Sequence, residues 1–198
     1  MDSRNVVTLS GIVASNPKFS HSLFHDKFYT FTLASKRLSN YQDLLPVTIS
    51  ESMCCCGLQE GDSVYINGQL RSYNKFLEGS SRLILTVFAR EMEKMQCEPE
   101  NNIMLTGYIC KPVVFRTTPF NREIADILLA VNRQYNKSDY IPCIAWGKNA
   151  RFASMLETGQ RVNIQGRVQS REYEKKLDNG CVVRRTAYEV SIASLKEL

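Results

Sequence analysis

The sequence predicts an all-β protein with short helices, in which one small five-stranded barrel occurs twice in tandem. The first observation behind this prediction is an internal repeat. Residues 61–72 match residues 159–170, and shorter matches upstream share a constant offset of 96 residues. A period of that length exceeds a solenoid unit and equals a complete small domain. The other two observations are strand-like alternation of apolar and polar residues, and glycines at corresponding strand positions in both copies.

The second copy has the clearer pattern of elements. Apolar runs and two-residue alternation predict strands at 103–109, 124–131, 140–146, 161–173 and 181–193. Residues 149–156 are predicted to be helical, because Phe152 precedes Met155 and Leu156 by three and four residues. The Asp-Asn-Gly sequence at 178–180 is typical of a hairpin turn and joins the last two strands.

The first copy follows the same order, with a helix predicted at 51–58 and Ser50 as its N-cap. The strand glycines are Gly11 and Gly107 in the first strand, and Gly68 and Gly166 in the fourth. A glycine inside a strand indicates a sharp bend or a bulge. Two bent strands, with a helix between the third and fourth strands, are typical of the Greek-key barrel called the oligonucleotide/oligosaccharide-binding (OB) fold.

The repeat predicts two OB-fold domains, at 1–96 and 101–198, joined by a linker at 97–100. No apolar run approaches the roughly 20 residues that span a bilayer, so no membrane association is expected. The N-terminus lacks the basic-then-apolar order of a signal peptide. The seven cysteines are an odd number and include a run at 54–56, which indicates a reducing compartment. We therefore expect a cytoplasmic protein.

Charge is unevenly divided between the copies. Residues 1–96 hold ten Lys and Arg against nine Asp and Glu, whereas residues 101–198 hold fifteen against nine. A modest basic excess usually means only a solvated surface. Because the excess is concentrated in the second copy, it favours a polyanionic partner for that copy.

The second copy also combines aromatic rings with basic side chains, as single-strand binding by an OB fold requires. Tyr135 lies between Arg133 and Lys137 in a polar loop, and Tyr140 and Trp146 are six residues apart on one strand face. The alternative is that rings in strands pack in the core and that the cations are merely solvated. The predicted base-stacking residues are Tyr135, Tyr140, Trp146 and Tyr173, and the predicted phosphate-contacting residues are Arg133, Lys137, Arg171, Lys175, Lys176, Arg184 and Arg185.

The second copy resembles the bacterial single-stranded DNA-binding protein (SSB) family along its whole length. The resemblance is carried by residues 102–107, 129–133, 141–150 and 162–173, above all by Trp-Gly-Lys-Asn-Ala and the Val-Asn-Ile-Gln-Gly-Arg strand. Four aromatic positions of this family stack on bases. On this sequence they correspond to the same four rings that the composition of the second copy indicates, and the chain as a whole resembles a tandem duplicated form.

The first copy resembles the family more weakly. Its residues at the four stacking positions are Ser39, Leu44, Ser50 and Lys75, none of them aromatic. Nearby rings, at Tyr41, Tyr73 and Phe76, could substitute by shifting one or two positions, although a shift of one turns a strand side chain to the other face. We therefore expect a degenerate first barrel that serves as a scaffold, in dimerisation, in partner contact or in weaker strand binding.

The resemblance also implies an oligomeric assembly, and the C-terminus departs from the family pattern. Family members commonly assemble four barrels, so a homodimer of this chain, giving four OB folds, is expected. Members usually carry a low-complexity extension that ends in an acidic, Phe-tipped peptide and recruits replication proteins. The chain ends at 194–198, just after the last strand, without such a tip, so recruitment through it is not expected.

Neither a metal site, a cofactor nor an enzyme is expected. His21 and His25 fall in a loop between predicted strands, and the cysteines at 54–56 fall in a helix, where three in a row cannot share one face. No ligand pair has the spacing of a zinc site, and no phosphate cradle, nucleophile elbow or paired-carboxylate motif is present in the sequence.

The prediction is a non-enzymatic, sequence-nonspecific single-stranded DNA-binding protein of a bacterium, phage or mobile element, acting in DNA replication, recombination or repair. One alternative is a primosome-like or mobile-element adaptor that mainly binds proteins. Another is RNA or tRNA binding, which the same fold serves. A nuclease is disfavoured, because no acidic metal ligands group on one face.

Overall fold

The computed structural model describes residues 4–37, 39, 41–77, 80–176 and 180–198, without the side chains of Leu77, Ser80, Lys175 and Lys176. The N-terminal half contains β1 (Asn5–Val13), β2 (Lys18–Leu23), β3 (Asp26–Lys36), β4 (Gln42–Ser50), α1 (Glu51–Cys54), β5 (Ser63–Leu77) and β6 (Ser80–Lys94). The C-terminal half contains β7 (Asn101–Ile109), β8 (Val114–Thr117), β9 (Glu123–Arg133), β10 (Lys137–Trp146), α2 (Lys148–Ala153), β11 (Arg161–Lys176) and β12 (Val182–Glu197).

Each half closes into a barrel of five strands. In the N-terminal half, β1 pairs antiparallel with β3 and β5, β3 with β4 and β5 with β6, and a short parallel pairing of β4 with β6 closes the ring. In the C-terminal half, β7, β9, β10, β12 and β11 repeat these pairings. The predicted all-β class with two tandem OB folds is therefore confirmed. The division into separate domains at 97–100 stays a prediction.

The two barrels share one continuous sheet. β1 pairs antiparallel with β7, with Val7 opposite Ile103, so that the described strands form a 12-stranded sheet. Further backbone hydrogen bonds extend this pairing at both ends, from the Ser10 N–H to the Glu100 carbonyl at 2.8 Å and from the Thr106 N–H to the Arg4 carbonyl at 2.7 Å. The equivalent strands of the two repeats thus meet about an approximate twofold axis.

Apolar side chains at repeated positions fill the two barrels. Alternate residues of each strand point inward, as the two-residue period predicts. Fully buried side chains occur in equivalent pairs: Leu9 and Leu105, Leu33 and Leu129, Leu45 and Ile141, and Ile66 and Ile164. Both copies therefore keep the core that specifies the barrel.

The strand glycines lie where another strand approaches too closely for a side chain. The registers of β5 and β11 shift immediately before Gly68 and Gly166, which confirms the predicted bulges. A Cβ atom on Gly166 would overlap the carbonyl oxygen of Ser191. A Cβ on Gly107 would likewise overlap the Ala130 carbonyl oxygen, so this glycine allows β7 to cross close to β9.

Two strands differ from the sequence prediction. The short strands β2 and β8 were not predicted, and His21 therefore lies in β2 rather than in a loop, while His25 lies in the β2–β3 turn. Every residue of β2 and β8 is exposed. Because neither strand has a buried face, neither shows the alternation of apolar and polar residues on which the prediction depended.

Both helices are shorter than predicted. α1 ends at Cys54, and the Ser50 hydroxyl at its N-cap pairs with the Ser52 hydroxyl at 2.8 Å instead of capping the backbone. After Ala153 the chain tightens into turns, and the Leu156 N–H donates to the Ala153 carbonyl at 3.1 Å, which directs the Leu156 side chain into the core.

The hairpin turn predicted at 178–180 lies mostly outside the described residues. Gly180, the described member, has a φ of 83°, in the left-handed region that favours glycine. Within the described ranges, no helix has the length and apolar character to cross a membrane.

Candidate nucleic-acid interface

The four predicted stacking rings are all accessible from outside the barrel. Tyr135 is 89% exposed, Tyr140 46%, Trp146 39% and Tyr173 37%. Tyr140 and Trp146 lie on β10, and Tyr173 lies near the end of β11. The core-packing alternative does not describe these rings, because a core ring would be almost wholly buried.

Tyr135 is held outward by its turn. It lies between β9 and β10, and both Tyr135 and Asn136 adopt left-handed backbone angles, with φ of 62° and 53°. A large side chain in this region is uncommon and carries some strain. The ring gains little burial within the chain, so contacts inside the chain do not account for this strain.

The predicted cations surround these rings, and several are loosely paired. Arg171 lies 3.8 Å from Glu189, and its guanidinium is 5.8 Å from the centre of the Tyr173 ring. Arg184 lies 3.6 Å from Glu174, with both side chains mostly exposed. An exposed pair such as Arg184–Glu174 contributes little to stability, so a phosphate can replace its carboxylate at small cost, whereas Glu189 is largely buried.

The remaining predicted cations are placed as follows. Arg133 ends β9, with its Nη1 atom 3.6 Å from Asp139 Oδ1. Lys137 begins β10 and is exposed. Arg185 lies opposite Tyr173 in the pairing of β11 with β12. The predicted side chains of Lys175 and Lys176 lie outside the described part of the chain.

The structure places five of the predicted residues in two clefts at the junction of the halves. The first, here called the Trp146 cleft, has a volume of about 580 Å³ and is lined by Arg37, Tyr41, Arg122, Trp146, Arg167, Gln169, Ser170, Arg171, Glu172 and Ser191. The second, the Tyr135 cleft, has about 300 Å³ and is lined by Asn5, Leu23, Gln69, Arg71, Arg90, Asn132, Arg133, Gln134, Tyr135, Lys137 and Asp139. Trp146 thus shares a cleft with Arg171, and Tyr135 with Arg133 and Lys137, whereas Tyr140 and Tyr173 line neither.

A buried polar clasp, which the sequence analysis missed, fixes the halves against each other. Asp43 is fully buried and accepts two hydrogen bonds from the Arg37 guanidinium, each 2.6 Å, and one from the Ser170 backbone N–H, 2.8 Å. Ser170 belongs to the other half. Its hydroxyl in turn accepts the Leu44 N–H at 3.2 Å.

A related clasp recurs across the approximate twofold axis, but its closer arginine, Arg71, comes from the opposite half. Asp139 is fully buried and accepts the Ser72 N–H at 2.8 Å and Arg71 Nη1 at 3.1 Å. The Ser72 hydroxyl accepts the Tyr140 N–H at 2.7 Å, so the N-terminal half positions the backbone of a predicted stacking residue. The repeat is the sequence signal that could have identified the clasp residues, because Asp43 matches Asp139 and Ser72 matches Ser170.

Four arginines line the Trp146 cleft and make it electropositive, namely Arg37, Arg122, Arg167 and Arg171. Partial burial lowers the pKa of Arg167, and repulsion by Arg37 lowers it further, with Asp43 opposing the shift. The hydrogen bonds with Asp43 raise the pKa of Arg37. Arg37 is therefore firmly anchored by Asp43, and Arg167 is a partly buried guanidinium with a second cation nearby.

A family model described as the single-strand binding protein family matches residues 100–198. The chain belongs to the single-strand binding protein family. The matched segment coincides with the C-terminal half, which contains all the predicted stacking rings.

Curated relatives agree with this membership. The protein is 37% identical over 83 residues to single-stranded DNA-binding protein 3 of Streptococcus agalactiae, which covers 38% of this chain and 60% of the relative. It is 34% identical over 83 residues to single-stranded DNA-binding protein 1 of Lactococcus lactis, covering 38% of this chain and 55% of the relative. The chain thus spans less than two thirds of the length of these relatives.

Among solved structures, the family fold extends over both halves. The single-stranded DNA binding protein from Thermus aquaticus matches with a TM-score of 0.76 at 18% identity, covering 98% of this chain and 92% of that one. A deletion mutant of the same protein matches with a TM-score of 0.78 and 18% identity, covering 98% and 94%. At 18% identity, the likeness shows that both barrels of this chain have the same fold as those of the Thermus aquaticus protein.

The described residues contain no group of three or more His, Cys, Asp or Glu side chains that could hold a metal ion. The seven cysteines are all free thiols, and those at 55 and 56 are exposed at the end of α1.

Proposed function

We propose that this chain binds single-stranded DNA without strong sequence preference, by stacking bases on rings of the C-terminal half and neutralising phosphates between them. The observation that carries the proposal is the accessibility of the four rings, which are 37–89% exposed on an otherwise well-filled barrel. Exposure leaves the face of each ring available to a base, and base stacking contributes about 1–3 kcal/mol per base.

The arrangement of charge supports the same function. Arg171 lies beside Tyr173, and Arg133 and Lys137 flank Tyr135, so that these two rings have a cation within reach of an adjoining phosphate. Stacking is tolerant of sequence, because every base offers a π face. A binding surface that depends on rings and cations is therefore nonspecific.

Further features of the proposal follow from family membership. We propose a non-catalytic, cytoplasmic protein that acts in DNA replication, recombination or repair, and a homodimer that assembles four OB folds. In this proposal, domain 2 (101–198) is the main DNA-binding domain and domain 1 (1–96) is principally a scaffold, with 97–100 as the linker.

The test is a titration of fluorescently labelled oligo-dT with the wild type and two variants, Trp146→Ala and Tyr173→Ala. Each variant is expected to weaken binding about 5- to 150-fold, the equivalent of about 1–3 kcal/mol. Tyr108→Ala is the matched control, because Tyr108 is 40% exposed on β7 and lines neither cleft.

The proposal is wrong if both variants bind oligo-dT as tightly as the wild type does. Competition between poly-dT and poly-U, scored on the same complex, distinguishes DNA from RNA as the ligand. Pull-down with and without nuclease tests the adaptor alternative, since partners that survive nuclease treatment would indicate direct protein binding.

A further inference from the structure

The Trp146 cleft has walls from both halves of the chain. Arg37 and Tyr41, at the connection between β3 and β4, form the N-terminal wall, and Trp146, Arg167 and Arg171 belong to the C-terminal wall. The matched family segment covers only the C-terminal half. The comparisons therefore assign no binding role to the N-terminal wall.

We propose that this cleft is a composite nucleotide-binding site, in which Tyr41 of the N-terminal barrel stacks a base and Arg37, with Arg167, binds the adjoining phosphate. The inference rests on the proposed binding of single-stranded DNA and extends it, because it gives the degenerate barrel direct contact with the strand. The strand then crosses from one barrel to the other at this point.

Tyr41 is held ready for such a contact. Its ring is 51% exposed, and the Arg37 guanidinium lies 4.6 Å from the ring centre. The Arg37 N–H donates to the Tyr41 carbonyl at 2.8 Å, which fixes the backbone at both ends of the connection. A ring positioned in advance loses little conformational freedom when a base stacks on it.

Asp43 anchors the Arg37 guanidinium without using all of its N–H donors. Two of its hydrogen bonds, both 2.6 Å long, go to Asp43. A guanidinium has five N–H donors, so donors remain for an anion after a bidentate pair has formed. The buried carboxylate therefore aims the Arg37 group at the cleft and does not exhaust it.

The excess of arginine over acidic residues in the described lining of the cleft points to an anion. Arg37 and Arg167 come from different halves and both line the cleft. Burial lowers the pKa of Arg167, and repulsion by Arg37 lowers it further. Glu172 is the acidic residue of the described lining. A phosphate between the two guanidinium groups would relieve the repulsion and form charge-assisted hydrogen bonds with both.

A connecting groove gives the strand a way out of the cleft. This groove has a volume of about 990 Å³ and shares Arg37, Arg167 and Ser191 with the Trp146 cleft. It continues past Lys36 to Pro99 in the connection between the halves. A strand that leaves the cleft in this direction passes Lys36 and Arg37 of the N-terminal barrel and also the acidic Glu98.

The chain provides its own reporter for this site, because Trp146 is its single tryptophan and lines the cleft. The experiment titrates the full chain with oligo-dT and follows tryptophan fluorescence and the anisotropy of the labelled oligonucleotide. Four proteins are compared, namely the wild type, Tyr41→Ala, Tyr41→Phe and the matched control Tyr108→Ala.

We expect oligo-dT to quench Trp146 in the wild type, and Tyr41→Ala to weaken binding about 5- to 150-fold. Tyr41→Phe keeps the ring and should bind within about twofold of the wild type, as should Tyr108→Ala. If the wild type binds and is quenched, but Tyr41→Ala binds equally well, the composite site is refuted and the proposed function stands. If the wild type neither binds nor is quenched, both fail.

A second measurement needs no variant and covers the case in which Tyr41→Ala is misfolded. Photo-crosslinking of the wild type to oligonucleotides with halogenated uracil, followed by peptide mapping, should label the peptide that contains Tyr41 as well as the peptide that contains Trp146. Labelling of the Trp146 peptide without that of Tyr41 would overturn the inference.

Discussion

Replacing Asp43 with alanine tests how the two barrels are held together. The substitution removes the acceptor of the Ser170 N–H and of two Arg37 hydrogen bonds. An unsatisfied buried N–H costs about 1–3 kcal/mol. The Arg37 side chain is 22% exposed, so without Asp43 it regains some hydration. Leaving Arg37 unpaired therefore costs less stability than leaving a fully buried cation unpaired. The total is expected to be about 3–5 kcal/mol, the range for breaking one partner of a buried pair.

The assay is urea unfolding monitored by circular dichroism, together with thermal melting. For a chain of this size, each kcal/mol lowers Tm by about 2–4 °C, so a decrease of about 6–20 °C is expected. Asp126→Ala is the matched control. Asp126 pairs with Arg116 at 2.8 Å, but its side chain is 43% exposed, and loss of such a pair should cost no more than about 1 kcal/mol.

The reasoning is refuted if Asp43→Ala and Asp126→Ala destabilise the protein equally. That result would mean that the clasp contributes no more than a surface ion pair, and that the β1–β7 pairing alone joins the barrels. Asp139→Ala, at the equivalent position of the repeat, should reproduce the large effect of Asp43→Ala.

Three further predictions concern packing, thiol chemistry and salt. Gly166→Ala should lower the free energy of unfolding by about 1–3 kcal/mol in urea titration, because the new methyl group overlaps the Ser191 carbonyl oxygen, and an unchanged midpoint would contradict this. Burial raises the pKa of the Cys143 thiol, so in a brief iodoacetamide pulse analysed by mass spectrometry it should react far more slowly than exposed Cys97, and equal rates would be the opposite of what we expect. Arg171→Ala should reduce the slope of log affinity for oligo-dT against log salt by about 0.7 if it contacts one phosphate, whereas an identical slope would exclude that contact.

Much of the fold could be predicted because its signals are local. Gly68 and Gly166 indicated bulges, and inward-facing apolar residues such as Ile66 and Ile164 indicated the strands that carry them. A bulge and an alternating strand each depend on a few neighbouring residues. The repeat then established that the same barrel was present twice.

What was missed has a physical cause in each case. The wholly exposed strands β2 and β8 have no buried face and therefore no alternation to detect. The clasp residues Asp43 and Asp139 resemble ordinary surface carboxylates until the strands that bury them are in place. Their partners, Ser170 and Ser72, lie in the other half of the chain.

The sequence by itself determined the duplicated barrel, the basic C-terminal half and the four rings that we propose as stacking residues. Only the tertiary structure decided which cleft each ring lines. Trp146 and Tyr135 line different clefts, and Tyr41 of the opposite half lines the same cleft as Trp146. The reason is that the pairing of β1 with β7 and the two clasps bring together residues far apart in the chain. No local pattern of residues records such a long-range contact.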